Sequence, residues 1–217
     1  MSSGLYTVVR AATGPAQGLV VLMHGVGSHE RSLLPLAQAL DPRLQVVLPR
    51  GPLSFGPDAF GWFTVQFGPQ GPVIDPAQAE ASRLRLIDFV RQQQAQLGLP
   101  ATRTLVAGFS QGGIMSASIA LTAPEVAARF AVLSGRILPE IAAHVPADIA
   151  TRDLEGLILH GRHDSKLPFA LATAASARLR ALGVRHTLKD YPADHALTAP
   201  MQADFNAWTV QRLLSLH

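Results

Sequence analysis

Six short apolar runs, at 19–23, 44–48, 104–107, 129–133, 157–160 and 186–191, alternate along this chain with stretches of helical pattern. A run such as Leu19-Val20-Val21-Leu22-Met23 is apolar at every position, as a strand covered on both faces requires and a half-exposed strand does not. The alternation predicts an α/β protein with a mainly parallel, doubly wound sheet and helices on both faces. Helices are expected at 76–97, 111–121, 168–182 and 198–216, and segment 5–11 is expected to add an antiparallel edge strand. The 217 residues suit one domain, 1–217, able to bury about 70% of its unfolded surface. No linker, repeat or low-complexity tract interrupts it.

One strand-to-helix junction carries chemistry. Gly108-Phe109-Ser110-Gln111-Gly112 follows the run Thr104-Leu105-Val106 and opens the apolar helical stretch that starts at Ile114. In such a G-x-S-x-G turn the chain reverses so sharply that the serine is strained, and only glycine neighbours leave room for it. The hydroxyl is then held at a helix N-terminus, where free N–H groups favour developing negative charge.

A serine hydroxyl is a weak nucleophile and needs a base, which in turn needs a group to fix its tautomer. Two downstream strand ends supply candidates in the order nucleophile, acid, base. Asp164 lies just past the run Leu157-Ile158-Leu159-His160, and His195 lies in the loop after the strand-like segment 186–191 and before the final helix. Asp164 also suits a cap for the helix beginning near Pro168, and Asp190 and Asp194 are rival acids. Asp194 adjoins His195 and reaches its ring poorly, while Asp190 sits on the strand side. Of the other histidines, His217 is terminal, His144 lies in a Pro-bounded polar stretch and His186 begins a strand. His160 and His163 beside Asp164 do not face one ligand, and no HExxH helix occurs, so no metal site is expected.

Acyl transfer also needs oriented donors for the oxyanion. The backbone N–H of Gln111, following the serine, is one candidate; the second is the N–H of Val26, in the His24-Gly25-Val26-Gly27 turn after the first buried strand. His24 reads as a structural residue of that turn. The connection 49–75 holds five Gly and five Pro and is expected to be a long loop that shapes the substrate pocket. Its rings Phe55, Phe60, Trp62, Phe63 and Phe67 suit either an apolar wall or anchors of the loop, with Trp62, Phe63 and Phe60 the preferred substrate contacts. No segment is long enough for a large helical lid.

Composition narrows the remaining classes. The chain has no cysteine, which excludes a disulfide framework and a thiol nucleophile. No signal-like N-terminus occurs and no apolar run approaches the roughly 20 residues of a membrane span, so a cytoplasmic protein without membrane insertion is expected. The isoelectric point is near 9.9, but net charge is only +3 and the arginines are scattered, which argues against nucleic-acid binding.

His24-Gly25-Val26-Gly27, Gly108-Phe109-Ser110-Gln111-Gly112-Gly113, His160-Gly161-Arg162-His163-Asp164 and His195 together resemble the phospholipase/carboxylesterase family of α/β-hydrolases, which includes small bacterial carboxylesterases and acyl-protein thioesterases. The resemblance spans nearly the whole chain. It implies the α/β-hydrolase fold, a Ser-Asp-His esterase with no cofactor, and commonly a dimer. Three positions depart from the family pattern: Lys166-Leu167-Pro168 stands where Val-Pro is usual, Asp194 replaces the glycine before the histidine, and Trp62-Phe63-Thr64 replaces Trp-Phe-Asp. The leading expectation is a carboxylesterase for short- to medium-chain esters. A long-chain thioesterase or lysophospholipase is the nearer alternative, and a hydrolase-fold protein that binds ligand without turnover is the more distant one.

Overall fold

A computed structural model describes residues 4–68 and 71–215, excluding the side chains of Phe67, Gly68 and Gly71. Its centre is a seven-stranded sheet in the order β1-β3-β2-β8-β9-β10-β11. These strands are β1 (Thr7–Arg10), β2 (Gly18–Met23), β3 (Leu44–Pro49), β8 (Thr104–Phe109), β9 (Arg129–Leu133), β10 (Glu155–Gly161) and β11 (Arg185–Tyr191). β1 runs antiparallel to β3 at one edge. All other pairings are parallel.

The five inner strands, β2, β3, β8, β9 and β10, are buried on both faces because successive side chains enter different cores. Leu19, Val21 and Met23 of β2 pack with α2 (Pro76–Leu97), α3 (Gln111–Thr122) and α4 (Ala170–Ala181). Val20 and Leu22, pointing the other way, pack with α1 (Leu34–Ala39) and α5 (Ala199–Leu213). α2 has the bounds expected from the sequence: the Asp75 carboxylate caps the N–H groups of Ala77 and Gln78, Pro76 starts the helix, and Gly98 ends it at φ 65°. The sequence-expected 198–216 helix ends earlier, at Leu213; Leu216 and His217 lie outside the described residues. Among the described residues, no helix is long and apolar enough to cross a membrane.

One element was not foreseen and one expectation needs correction. The helix α1 was not legible: it has six residues and no side-chain cap. The 49–75 connection is not an irregular loop, because it folds into two antiparallel hairpins, β4 (Leu53–Gly56) with β5 (Ala59–Gly61) and β6 (Val65–Gly68) with β7 (Gly71–Ile74). Parallel register aligns Met23 with Gly108 and Phe109 with Leu133, so the turns after β2, β8 and β9 emerge together. Open α/β sheets bind ligands at that carboxyl edge.

Candidate active site

Ser110 sits between β8 and α3 with φ 54° and ψ −116°, a conformation that costs a non-glycine residue on the order of 1–3 kcal/mol. Tight packing holds it there. A Cβ on Gly112 would overlap the carbonyl of Met23 in β2, and one on Gly108 would meet the same oxygen at 2.6 Å. The Ser110 N–H donates to Leu133 O at 2.8 Å, and its carbonyl accepts from Ile114 in the first turn of α3.

The structure brings Ser110, His195 and Asp164 into one hydrogen-bonded row. His195 Nε2 lies 2.9 Å from Ser110 Oγ, and His195 Nδ1 lies 2.7 Å from Asp164 Oδ2. The Asp164 side chain is fully buried, and its other oxygen accepts the N–H groups of Lys166 and Leu167 at 2.9 and 2.7 Å. The helix cap open to Asp164 is not formed, since α4 starts at Ala170 without a side-chain cap; one Asp164 oxygen instead ties down the preceding turn while the other faces the imidazole. His160, three residues after Leu157 in β10, puts Nε2 3.3 Å from Asp164 Oδ2 and donates to Leu167 O at 2.7 Å. Burial lowers the pKa of His160, which favours a neutral ring behind the carboxylate.

The rival acids take other parts. Asp190 pairs with Arg162. Asp194 Oδ1 accepts the N–H groups of Ser165 and His195, both at 2.7 Å, tying the loop that bears His195 to the one that bears Asp164. Those hydrogen bonds lower its pKa to about 2. The ring of Phe109 packs on His195, with centroids 4.8 Å apart. His163 is exposed.

The N–H groups of Val26 and Gln111 have no carbonyl partner among the described residues, and both residues line the cavity over Ser110. The turn carrying Val26 is pinned on three sides. Gly27 N donates to Phe60 O and Phe60 N donates to Ser28 O, each at 2.8 Å. His24 Nδ1 bonds Gly25 O and its Nε2 accepts from Gly51 N, which is the structural part expected of it. The Gln111 side chain clamps the hairpin segment, accepting from Trp62 N at 2.8 Å and donating to Phe63 O at 2.7 Å.

The cavity encloses about 750 Å³. Of the three rings expected to touch substrate, Phe63 lines it and two do not. Trp62 is completely buried beneath the wall, its indole N–H donating to His24 O at 3.0 Å and its ring beside that of His24. Phe60 turns away because Arg50 stacks on it at 4.3 Å while pairing with Glu30. Phe55 is exposed and off the cavity wall; the side chain of Phe67 lies outside the described residues. Leu33, Val65, Ile74, Ile114, Leu197 and Arg136 line the cavity without having been singled out from the sequence. They come from distant segments and carry no shared local pattern.

Residues 5–207 match the model of the phospholipase/carboxylesterase family. Esterase YpfH of Escherichia coli (strain K12) is 32% identical over 187 residues, 83% of this chain and 76% of that protein. The crystal structure of esterase PE8 superposes with a TM-score of 0.85 at 27% identity, covering 96% of this chain and 99% of that one. A Bacillus cereus carboxylesterase has the same fold, with a TM-score of 0.83 at 17% identity, covering 96% of this chain and 95% of its own.

Proposed function

Because the chain belongs to the phospholipase/carboxylesterase family, we propose that it is a serine carboxylesterase that hydrolyses short- to medium-chain acyl esters through an acyl-enzyme on Ser110. The fold is the α/β-hydrolase fold of that family, whose members hydrolyse carboxylic esters. The observation that carries the finer reading is the continuous row from Ser110 through His195 to buried Asp164, with both contacts under 3 Å.

In this reading His195 Nε2 removes the Ser110 proton as Oγ attacks the ester carbonyl. Asp164 keeps the Nδ1–H tautomer of His195 in place and stabilises the imidazolium that forms. The carbonyl oxygen becomes negative and is received by the N–H groups of Val26 and Gln111, whose free hydrogens require no rearrangement at that moment. His195 then returns the proton to the leaving alcohol as the C–O bond breaks. Water repeats the sequence on the acyl-enzyme: its proton goes to His195, its oxygen bonds the carbonyl carbon, and Ser110 leaves with the proton.

The apolar walls supplied by Phe63, Val65, Ile74 and Leu197 support an aliphatic acyl or alcohol group beside the serine. The test is hydrolysis of nitrophenyl esters of increasing acyl length by the wild type and Ser110→Ala. We expect a maximum at short to medium length and a loss of roughly 10⁴-fold or more in the variant. A maximum at long chains would favour a thioesterase or lysophospholipase instead, and retained activity in Ser110→Ala would remove the mechanism.

A further inference from the structure

One charged side chain in the cavity has no part in this chemistry. Arg136 follows β9 by way of Ser134 and Gly135, and Gly135 packs so closely on the nucleophile's backbone that a Cβ there would lie 3.0 Å from Ser110 O. Arg136 consequently lines the same cavity as Ser110 and His195. Its Nε is buried without a hydrogen-bond partner, and burial lowers its pKa, with Glu140 acting on it only at longer range.

Arg10 shows how this fold treats a half-buried guanidinium that it needs only for structure. Arg10 donates to the carbonyls of Ala37, Leu44 and Asp41, at 3.0, 2.6 and 3.2 Å. Arg136 has no such acceptors among the described residues. A half-buried guanidinium whose buried Nε has no acceptor carries a desolvation cost, and its fork of donors matches a carboxylate or phosphate. The cavity around it holds a second cation, the exposed Lys166, and no Asp or Glu among its described lining residues.

We propose that Arg136 is a specificity-determining residue that receives an anionic group, carboxylate or phosphate, carried by the ester substrate away from its scissile carbonyl. The inference rests on the esterase reading for the position of the reacting bond. It does not rest on that reading for the anion site itself.

The experiment compares methyl hexanoate with two anionic esters of similar reach, monomethyl adipate and methyl 5-phosphonopentanoate, by methanol release from wild type, Arg136→Gln and Arg136→Lys. The wild type should favour at least one anionic ester over the neutral one by about 30-fold or more in kcat/KM, and the better of the two identifies the anion. Arg136→Gln should collapse that ratio toward one, Arg136→Lys should keep part of it, and added salt should reduce it in the wild type. An unchanged ratio in Arg136→Gln, or a wild-type preference for the neutral ester, overturns the proposal.

Calorimetric binding of adipate and of hexyl phosphate to Ser110→Ala, and to Ser110→Ala with Arg136→Gln, separates this inference from the reaction. Binding that disappears with Arg136 supports the anion site even if no ester is turned over, a result that would count against the esterase reading alone. Failure of both anions to bind, or equal binding by the two proteins, overturns the anion site whatever the turnover.

Discussion

At the scale of single residues, the proposed mechanism separates reacting groups from those that hold them. Asp164 does both, one oxygen on His195 and the other on the turn at Lys166 and Leu167. Asp164→Asn can keep an acceptor on the turn while presenting the wrong group to the imidazole, so kcat should fall about 10³- to 10⁴-fold with little change in fold; steady-state kinetics beside a circular dichroism melt checks this. Asp194 is a positioning residue, and Asp194→Ala should slow turnover roughly 10- to 100-fold by freeing the His195 loop. A kinetic loss without faster amide exchange at Ser165 and His195 would contradict that account. Its carboxylate has a folded pKa lowered to about 2, so its stabilising effect is complete above the unfolded value near 3.9, declines as pH falls from there and is gone below about 2. The sequence made Asp194 look like a departure. Its purpose became visible only when two loops 29 residues apart were seen to share its oxygen.

Among the elements, the strand-to-helix turn at Ser110 was legible because its requirements are local: β-branched residues before, glycines at fixed offsets, an apolar helix after. Gly112 also meets a distant strand, β2, through the Met23 carbonyl. Gly112→Ala should therefore destabilise the protein by about 3 kcal/mol or more, measured by urea unfolding; a loss under about 1 kcal/mol would mean that β2 and α3 can separate without penalty. The hairpins within 49–75 were not legible, because strands of three or four residues interrupted by Gly and Pro have little pattern of their own. They are held by partners elsewhere, notably the Gln111 side chain on Trp62 and Phe63. This also explains why Trp62 and Phe60 misled. An aromatic next to a pocket and an aromatic fastening the pocket wall look alike in sequence, and burial against His24 or stacking under Arg50 decides between them.

For the molecule as a whole, the parallel sheet was readable from its doubly buried strands, but the cavity was not. It gathers residues from the turn after β2, the β6–β7 hairpin, the turn after β9 and the loops bearing Asp164 and His195. The same architecture sets an acid limit on stability. His24 and His160 are 1% and 0% exposed, and burial lowers both pKa values. Below the unfolded histidine value, near 6.5, the unfolded chain binds more protons than the folded one, so stability should fall as pH drops from there toward the lowered folded values. Urea midpoints between pH 7.5 and 5 measure this, and a midpoint that rises on acidification would contradict it.

The proposed acyl-enzyme is tested most directly by intact-mass spectrometry after rapid acid quench of the protein turning over a nitrophenyl ester, followed by peptide mapping. The account predicts one acyl group per chain, on the peptide containing Ser110, present in the wild type and absent from Ser110→Ala and from His195→Ala quenched at the same early time. Steady turnover with no adduct at Ser110, or an adduct of equal yield in Ser110→Ala, would contradict it.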